Sequence, residues 1–198
     1  PTEGSSKPTR IWVIGDSGHP GETSLAVRDA MLNWVEQNPR KDSDYIDLWL
    51  ALGDIAYRSG TNEQFQAALF DTYPNILRNK SLWPVYGNHD ARRWTYFKLF
   101  TLPEHGEAGG VPSGTENYYA IDYANIHLVM LDSQDSSLSP DSEMLSWLKS
   151  DLARNTSQWL IVAFHHPHYT RGSHNSDDRE DSTGRLVKVR QNVLPILE

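Results

Sequence analysis

The 198-residue sequence predicts an α/β fold, and three observations carry the expectation: apolar runs that each stop at a turn, helical periodicity between them, and a hairpin pattern further on. Arg10 to Ile14 read as a short buried strand halting at Gly15-Asp16-Ser17-Gly18. Ile46 to Leu52 repeat the arrangement before Gly53-Asp54, and Leu82 to Tyr86 repeat it before Gly87-Asn88-His89-Asp90. Trp159 to Phe164 form a fourth buried strand, ending at His165-His166-Pro167-His168. Between the first two strands Leu25, Val27, Ala30, Met31, Trp34 and Val35 recur at helical spacing, and Asn38-Pro39 ends the pattern.

The remaining elements follow in order. Phe65 to Phe70 read as helical. Asn117 to Asp132 read as a hairpin turning near Tyr123-Ala124-Asn125, with apolar and polar residues alternating in its first arm. Leu145 to Leu152 form a helix announced by Pro140-Asp141, Arg171 to Gly184 a polar loop, and Leu186 to Leu197 a further helix. There is no internal repeat and no linker, so residues 1–198 are expected to form one domain behind a flexible Pro/Gly/Ser-rich lead at 1–8.

Composition narrows the function. Hydrophobic residues make up 38% of the chain and include seven Trp, which is ample material for a packed interior and excludes a mainly disordered chain. The formal net charge of -8, with no stripe of Lys or Arg, argues against a nucleic-acid partner but not against a small phosphorylated one, because bound cations reverse the local field. The chain has no cysteine, which removes disulfides, thiolate metal sites and Cys nucleophiles together. No apolar stretch approaches the roughly 18 residues of a membrane span. The opening PTEGSSKPT, which lacks Met, fits a processed mature protein or a trimmed chain, and a secreted or periplasmic location is the expectation.

An α/β sheet presents functional residues at the carboxyl ends of its strands. Here those ends carry Asp16, Asp54, Asn88 and His165, with Tyr57 three residues beyond the second Asp. All are oxygen or imidazole donors suited to hard or borderline cations. Two such cations a few ångströms apart create a nucleophile from water and neutralise charge on a phosphate ester.

Four ordered motifs, GDSG at 15–18, GDIAY at 53–57, GNHD at 87–90 and VAFH at 162–165, resemble the calcineurin-like metallophosphoesterases. Within that superfamily the sequence is most similar to the purple acid phosphatases, because Gly18 stands where most relatives have His and Tyr57 appears in compensation. The resemblance implies a four-layer α-β-β-α sandwich of two mixed sheets, with the C-terminal part missing. It implies that Asp54 bridges two metals, that Asp16 and Tyr57 hold Fe(3+), and that Asn88 and His165 hold a second ion, Fe2+, Zn2+ or Mn2+. His89 is then the general acid, with Asp90 as a partner orienting it. Asn88 also meets substrate, and His174, nine residues after His165, binds the phosphate. The family's closing Gly-His-x-His motif does not occur, as expected of a truncated, cleaved or partial polypeptide.

The resemblance implies hydrolysis of phosphate monoesters at a binuclear centre. A phosphodiesterase or nucleotide pyrophosphatase would use the same ligands, and a non-catalytic binding protein would have lost the metals. Single residues have plainer readings: Gly-Asp as an ordinary turn, Asn88-His89-Asp90 as a helix cap, Tyr57 as a core aromatic. Of His166 and His168, one packs near the site and the other is exposed; His19, His105 and His127 read as surface or strand residues. Trp94, Tyr96, Phe97 and Phe100 read as core, and Asp177, Asp178, Glu180 and Asp181 as a solvated loop.

Overall fold

The computed structural model describes residue 4, residue 6, residues 8–41 and residues 45–198. Most of the expected lead, namely residues 1–3, 5 and 7, lies outside the described residues. The chain contains two compact units, one built on Lys7–Leu99 and the other on Phe100–Glu198.

The Lys7–Leu99 unit holds a three-stranded sheet in the order β1 (Ile11–Ile14), β2 (Leu48–Ala51), β3 (Leu82–Pro84). All three strands are parallel, with Ile14 opposite Ala51 and Ala51 opposite Pro84. A parallel pair needs a long crossover, so this sheet is not mixed: each connection carries helix instead of a tight turn. The first crossover contains α1 (Glu22–Gln37), and the second contains α2 (Asn62–Phe65), a π-turn at Gln66–Phe70, and α3 (Pro74–Leu77). Thr61 caps α2 by accepting from the Gln64 N–H while the Gln64 side chain returns to the Thr61 N–H, which fixes where the chain re-enters helix after the Asp54 turn. All four residues of the central strand β2 are buried, and Trp49 stacks on Trp12 at 4.9 Å and meets Tyr73 edge-on at 5.2 Å. After β3 comes α4 (Thr95–Leu99), whose Tyr96 is buried and packs on Tyr86 at 4.7 Å, as expected of core; Trp94 is instead 78% exposed.

The Phe100–Glu198 unit holds a mixed sheet in the order β4 (Tyr119–Tyr123), β5 (Ile126–Leu131), β6 (Trp159–Phe164). β4 and β5 form the expected hairpin, Tyr123 facing Ile126 across a turn in which Ala124 takes φ 56°. β6 runs parallel to β5, because α5 (Glu143–Arg154) carries the chain back. Ser142 caps α5 through its side chain, and Glu143 and Arg154 lie at the ends that favour their charges. One sheet face, with Ala120, Val129, Leu131 and Val162, packs on Leu145, Trp147 and Leu148 of α5 and on Val189 and Val193. The last two belong to the terminal helical segment α6 (Arg185–Lys188), a π-turn at Val189–Val193, and α7 (Leu194–Leu197). Burying each large aliphatic side chain of this layer stabilises the unit by about 1.5–3 kcal/mol.

Candidate metal centre

Parallel pairing in register sends β1, β2 and β3 out of their sheet on one edge, so the turns after them meet. The Asp16 N–H donates to the Gly53 carbonyl at 3.1 Å, which sets the two Gly-Asp turns side by side. Asp16 and Asp54 both take left-handed backbone angles, φ 54° and 55°. Asp adopts that region more readily than most residues, and strained backbone concentrates at functional sites. A carboxylate oxygen of Asp16 and one of Asp54 lie within 4.8 Å of each other.

Tyr57 belongs to the same cluster. Its hydroxyl donates to Asp16 Oδ1 at 2.7 Å, and its ring stacks on His19 at 4.4 Å and meets His89 edge-on at 4.6 Å. Without a cation, burial and the two carboxylates push its phenol pKa far above the ordinary value, so the hydroxyl stays protonated and donates. Gly18 explains why no histidine projects from that position: a Cβ there would meet Ala56 N, Asp54 O and Ile55 C at 2.7 Å. Its carbonyl accepts from the Tyr57 N–H at 3.0 Å, tying the GDSG turn to the GDIAY turn.

The turn after β3 joins through Asp54. Asp54 Oδ1 accepts from the His89 N–H at 2.8 Å, and its Oδ2 lies 3.9 Å from His89 Nε2. His89 Nδ1 lies 2.8 Å from the Arg58 carbonyl, which can only accept, so Nδ1 carries the hydrogen and Nε2 is the nitrogen left for chemistry. Asp90 does not orient His89, contrary to the expectation from sequence. Its carboxylate faces the other way, accepting from the Ile55 and Ala56 N–H groups at 2.9 and 3.1 Å and from Gly87 N–H at 3.3 Å. Asp90 is fully buried; burial and the Asp54 charge raise its pKa to about 7 although the three N–H groups pull it down. Asn88 precedes His89 on this turn and is half-buried.

In the Phe100–Glu198 unit His165 follows β6 and is half-buried, its ring 5.1 Å from that of His166. Of the two doubtful neighbours His166 is the packed one. Its N–H donates to Ser133 Oγ at 3.0 Å and its Nδ1 meets the same oxygen at 2.9 Å. Burial first, then the positive charge of its neighbours, lowers the His166 pKa to about 3, so the ring stays neutral. His168 is half-buried and packs edge-on against Phe164 and Tyr169. His174 is exposed in the polar loop, with Nδ1 2.8 Å from Asp181 Oδ1. Asp177, Asp178 and Glu180 are exposed as expected, but Asp181 is largely covered and accepts three hydrogen bonds.

Sequence reasoning missed two contacts. His19 stacks on Tyr57, and the only signal was its place three residues after Asp16. Of the two readings for His127, surface or strand, the structure gives the strand: it is buried in β5 between Asp122 and Asp151, which the sequence did not show.

The donor set fits metal ions. Two carboxylates with oxygens inside 4.8 Å, and a phenol oxygen 2.7 Å from one of them, gather hard donors that a cation could share. A family model described as Calcineurin-like phosphoesterase matches residues 9–192, and the chain belongs to that family. Within it the chain is of the purple acid phosphatase type. It is 28% identical to purple acid phosphatase 22 of Arabidopsis thaliana, over 98% of this chain and 44% of that protein. It is 26% identical to probable purple acid phosphatase 20 of the same plant, over 99% and 44%, and 38% identical to purple acid phosphatase 18, over 87% and 38%. The chain thus spans less than half the length of these curated relatives.

Proposed function

We propose that the protein hydrolyses phosphate monoesters with two metal ions, as an acid phosphatase of the purple type. The observation that carries the reading is the Tyr57 hydroxyl on Asp16 Oδ1 beside Asp54, a phenol and two carboxylates on neighbouring turns. Asp16 and Tyr57 would hold Fe(3+), Asp54 would bridge, and Asn88 and His165 would hold a second ion, Fe2+, Zn2+ or Mn2+. When bound, such ions supply Lewis acidity and neutralise the charge of a phosphate ester. His89 acts as the imidazolium: Nε2–H gives its proton to the departing alkoxide, leaving the neutral ring with Nδ1–H still anchored on the Arg58 carbonyl. Asn88 contacts the bound ester, and His174 hydrogen-bonds its phosphoryl oxygens.

The reading treats residues 1–198 as part of one catalytic domain, takes a small phosphorylated compound as its partner, and places the protein outside the cytoplasm, secreted or periplasmic. The names of the matched relatives support phosphatase activity. The test is metal analysis and visible absorption of the purified protein, followed by turnover of a monoester and a diester. Two metals per chain, a band that Tyr57→Phe abolishes, and faster monoester turnover are expected. Preferred diester turnover would replace the monoesterase by a diesterase, and a metal-free protein would leave a binding role.

A further inference from the structure

The loop between β6 and α6 folds around one carboxylate. Asp181 Oδ1 accepts from His174 Nδ1 at 2.8 Å and from Ser182 Oγ at 2.9 Å, and Oδ2 accepts from the Asn175 N–H at 2.7 Å. The Asp181 side chain is 15% exposed, whereas that of His174 is 62% exposed. One residue is thus the buttress and the other is presented to solvent.

We propose that Asp181 is a positioning residue for substrate: it holds the Nδ1 edge of His174, so that Nε2 is the nitrogen that meets a phosphoryl oxygen. This rests on the reading of His174 as the phosphate-binding residue. An ionised carboxylate only accepts, so the hydrogen lies on Nδ1. The bonds from Asn175, His174 and Ser182 bring the Asp181 pKa down to about 2, which keeps it an acceptor across the working range. Donation from Nε2 to a phosphoryl oxygen requires a second proton, so the phosphate-bound ring is the imidazolium, and the Asp181 charge offsets it. Asp181 also accepts from the Asn175 N–H and so fixes the backbone next to the ring it orients.

The experiment uses the metal-loaded protein with a phosphate monoester, and inorganic phosphate as inhibitor. His174→Ala and Asp181→Asn should each raise KM and the phosphate inhibition constant about 10-fold, as loss of a charge-assisted hydrogen bond does, with little change in kcat. The double variant should be no weaker than His174→Ala alone, and Asp181→Glu should recover most of the loss. Independently of turnover, imidazole 15N spectra should show His174 protonated at Nδ1 in the parent and mixed between its two nitrogens in Asp181→Asn. A raised KM in His174→Ala with an unchanged KM in Asp181→Asn overturns the role of Asp181, as do additive effects in the double variant. An unchanged KM in His174→Ala overturns the phosphate-binding reading of His174 instead.

Discussion

His127 Nε2 lies 2.7 Å from Asp151 Oδ2, which joins the middle strand of the mixed sheet to the last turn of α5 by a buried ion pair. The other ring nitrogen lies 2.6 Å from Asp122 Oδ1, so both nitrogens face carboxylates and both must donate. The same carboxylates hold the loop before β4, Asp151 accepting from the Val111 N–H and Asp122 from the Gly110 N–H. A cavity of about 220 Å³ opens beside them, and Arg154 also lines it.

This arrangement makes stability depend on pH in a definite direction. Burial alone would lower the His127 pKa, but the hydrogen bonds and charges of Asp151 and Asp122 outweigh it, and the pKa is raised above the ordinary histidine value. The folded state therefore binds the proton more tightly than the unfolded chain does. Its stabilisation is fully present below the unfolded value and is lost as pH rises through the raised folded value. His127→Gln should cost roughly 3 kcal/mol at pH 6, because it leaves the buried Asp151 and the part-buried Asp122 carboxylates without their cation, and clearly less at pH 9. Urea unfolding at the two pH values measures this, and equal losses would mean that the ring is neutral in the folded protein.

Asp90 gives a second prediction. Three N–H groups from the turns after β2 and β3 converge on its two oxygens, so it fastens the Asp54 turn to the Asn88 turn. Asp90→Asn keeps the shape and one acceptor oxygen but turns an NH2 towards one set of donors. A loss of about 1–3 kcal/mol is expected, together with weaker metal retention, since the two turns carry the proposed ligands. Differential scanning calorimetry and metal titration check the two parts. Unchanged metal affinity in a destabilised variant would confine Asp90 to folding.

The strand-end turns were legible because their signal is local. An apolar strand followed by Gly-Asp needs a residue that tolerates positive φ, and Asp16 and Asp54 occupy that region, although only β2 of the two strands is buried and Val13 of β1 is half exposed. The periodic helix at α1 and the hairpin at β4–β5 were legible for the same reason. What could not be read was a partner brought in by packing. The alternating hairpin pattern could place His127 in a strand, but its second carboxylate sits 24 residues later on α5. Asp90 was misread because its neighbour in sequence, His89, is not its neighbour in hydrogen bonding. Asp181 looked like one more acid in a solvated loop until the fold turned three donors onto it.

Gly18 separates a lost ligand from a required absence. The backbone of residues 54–56 lies where any side chain would start, so Gly18→Ala must push the GDSG turn away from the GDIAY turn. That would stretch the Tyr57 N–H bond to the Gly18 carbonyl and move the hydroxyl from Asp16. A destabilisation of about 1–3 kcal/mol is expected from overpacking, with loss of the visible band in metal-loaded protein. Gly18→His should do no better, because the obstacle is the Cβ rather than the missing imidazole. A Gly18→His variant that folds normally and gains metal affinity would show that the turns can separate without cost.

His89 gives the sharpest test of chemistry, because its two nitrogens have separate tasks. Nδ1 is committed to the Arg58 carbonyl, so the proposed proton transfer would run through Nε2 of the doubly protonated ring. The backbone of His89, not its ring, donates the 2.8 Å bond to Asp54 Oδ1, so removing the ring leaves that carboxylate's contact with the turn in place. His89→Ala should therefore retain metal while losing turnover. A proton donor matters most when the departing oxygen is basic, so the loss should be about 10²–10⁴-fold for an alkyl phosphate and much smaller for an activated aryl phosphate. Steady-state kinetics on both esters, with metal content measured on the same samples, decide the matter. Equal losses on the two esters would remove His89 from proton transfer, and parallel loss of metal would make it part of the ligand scaffold.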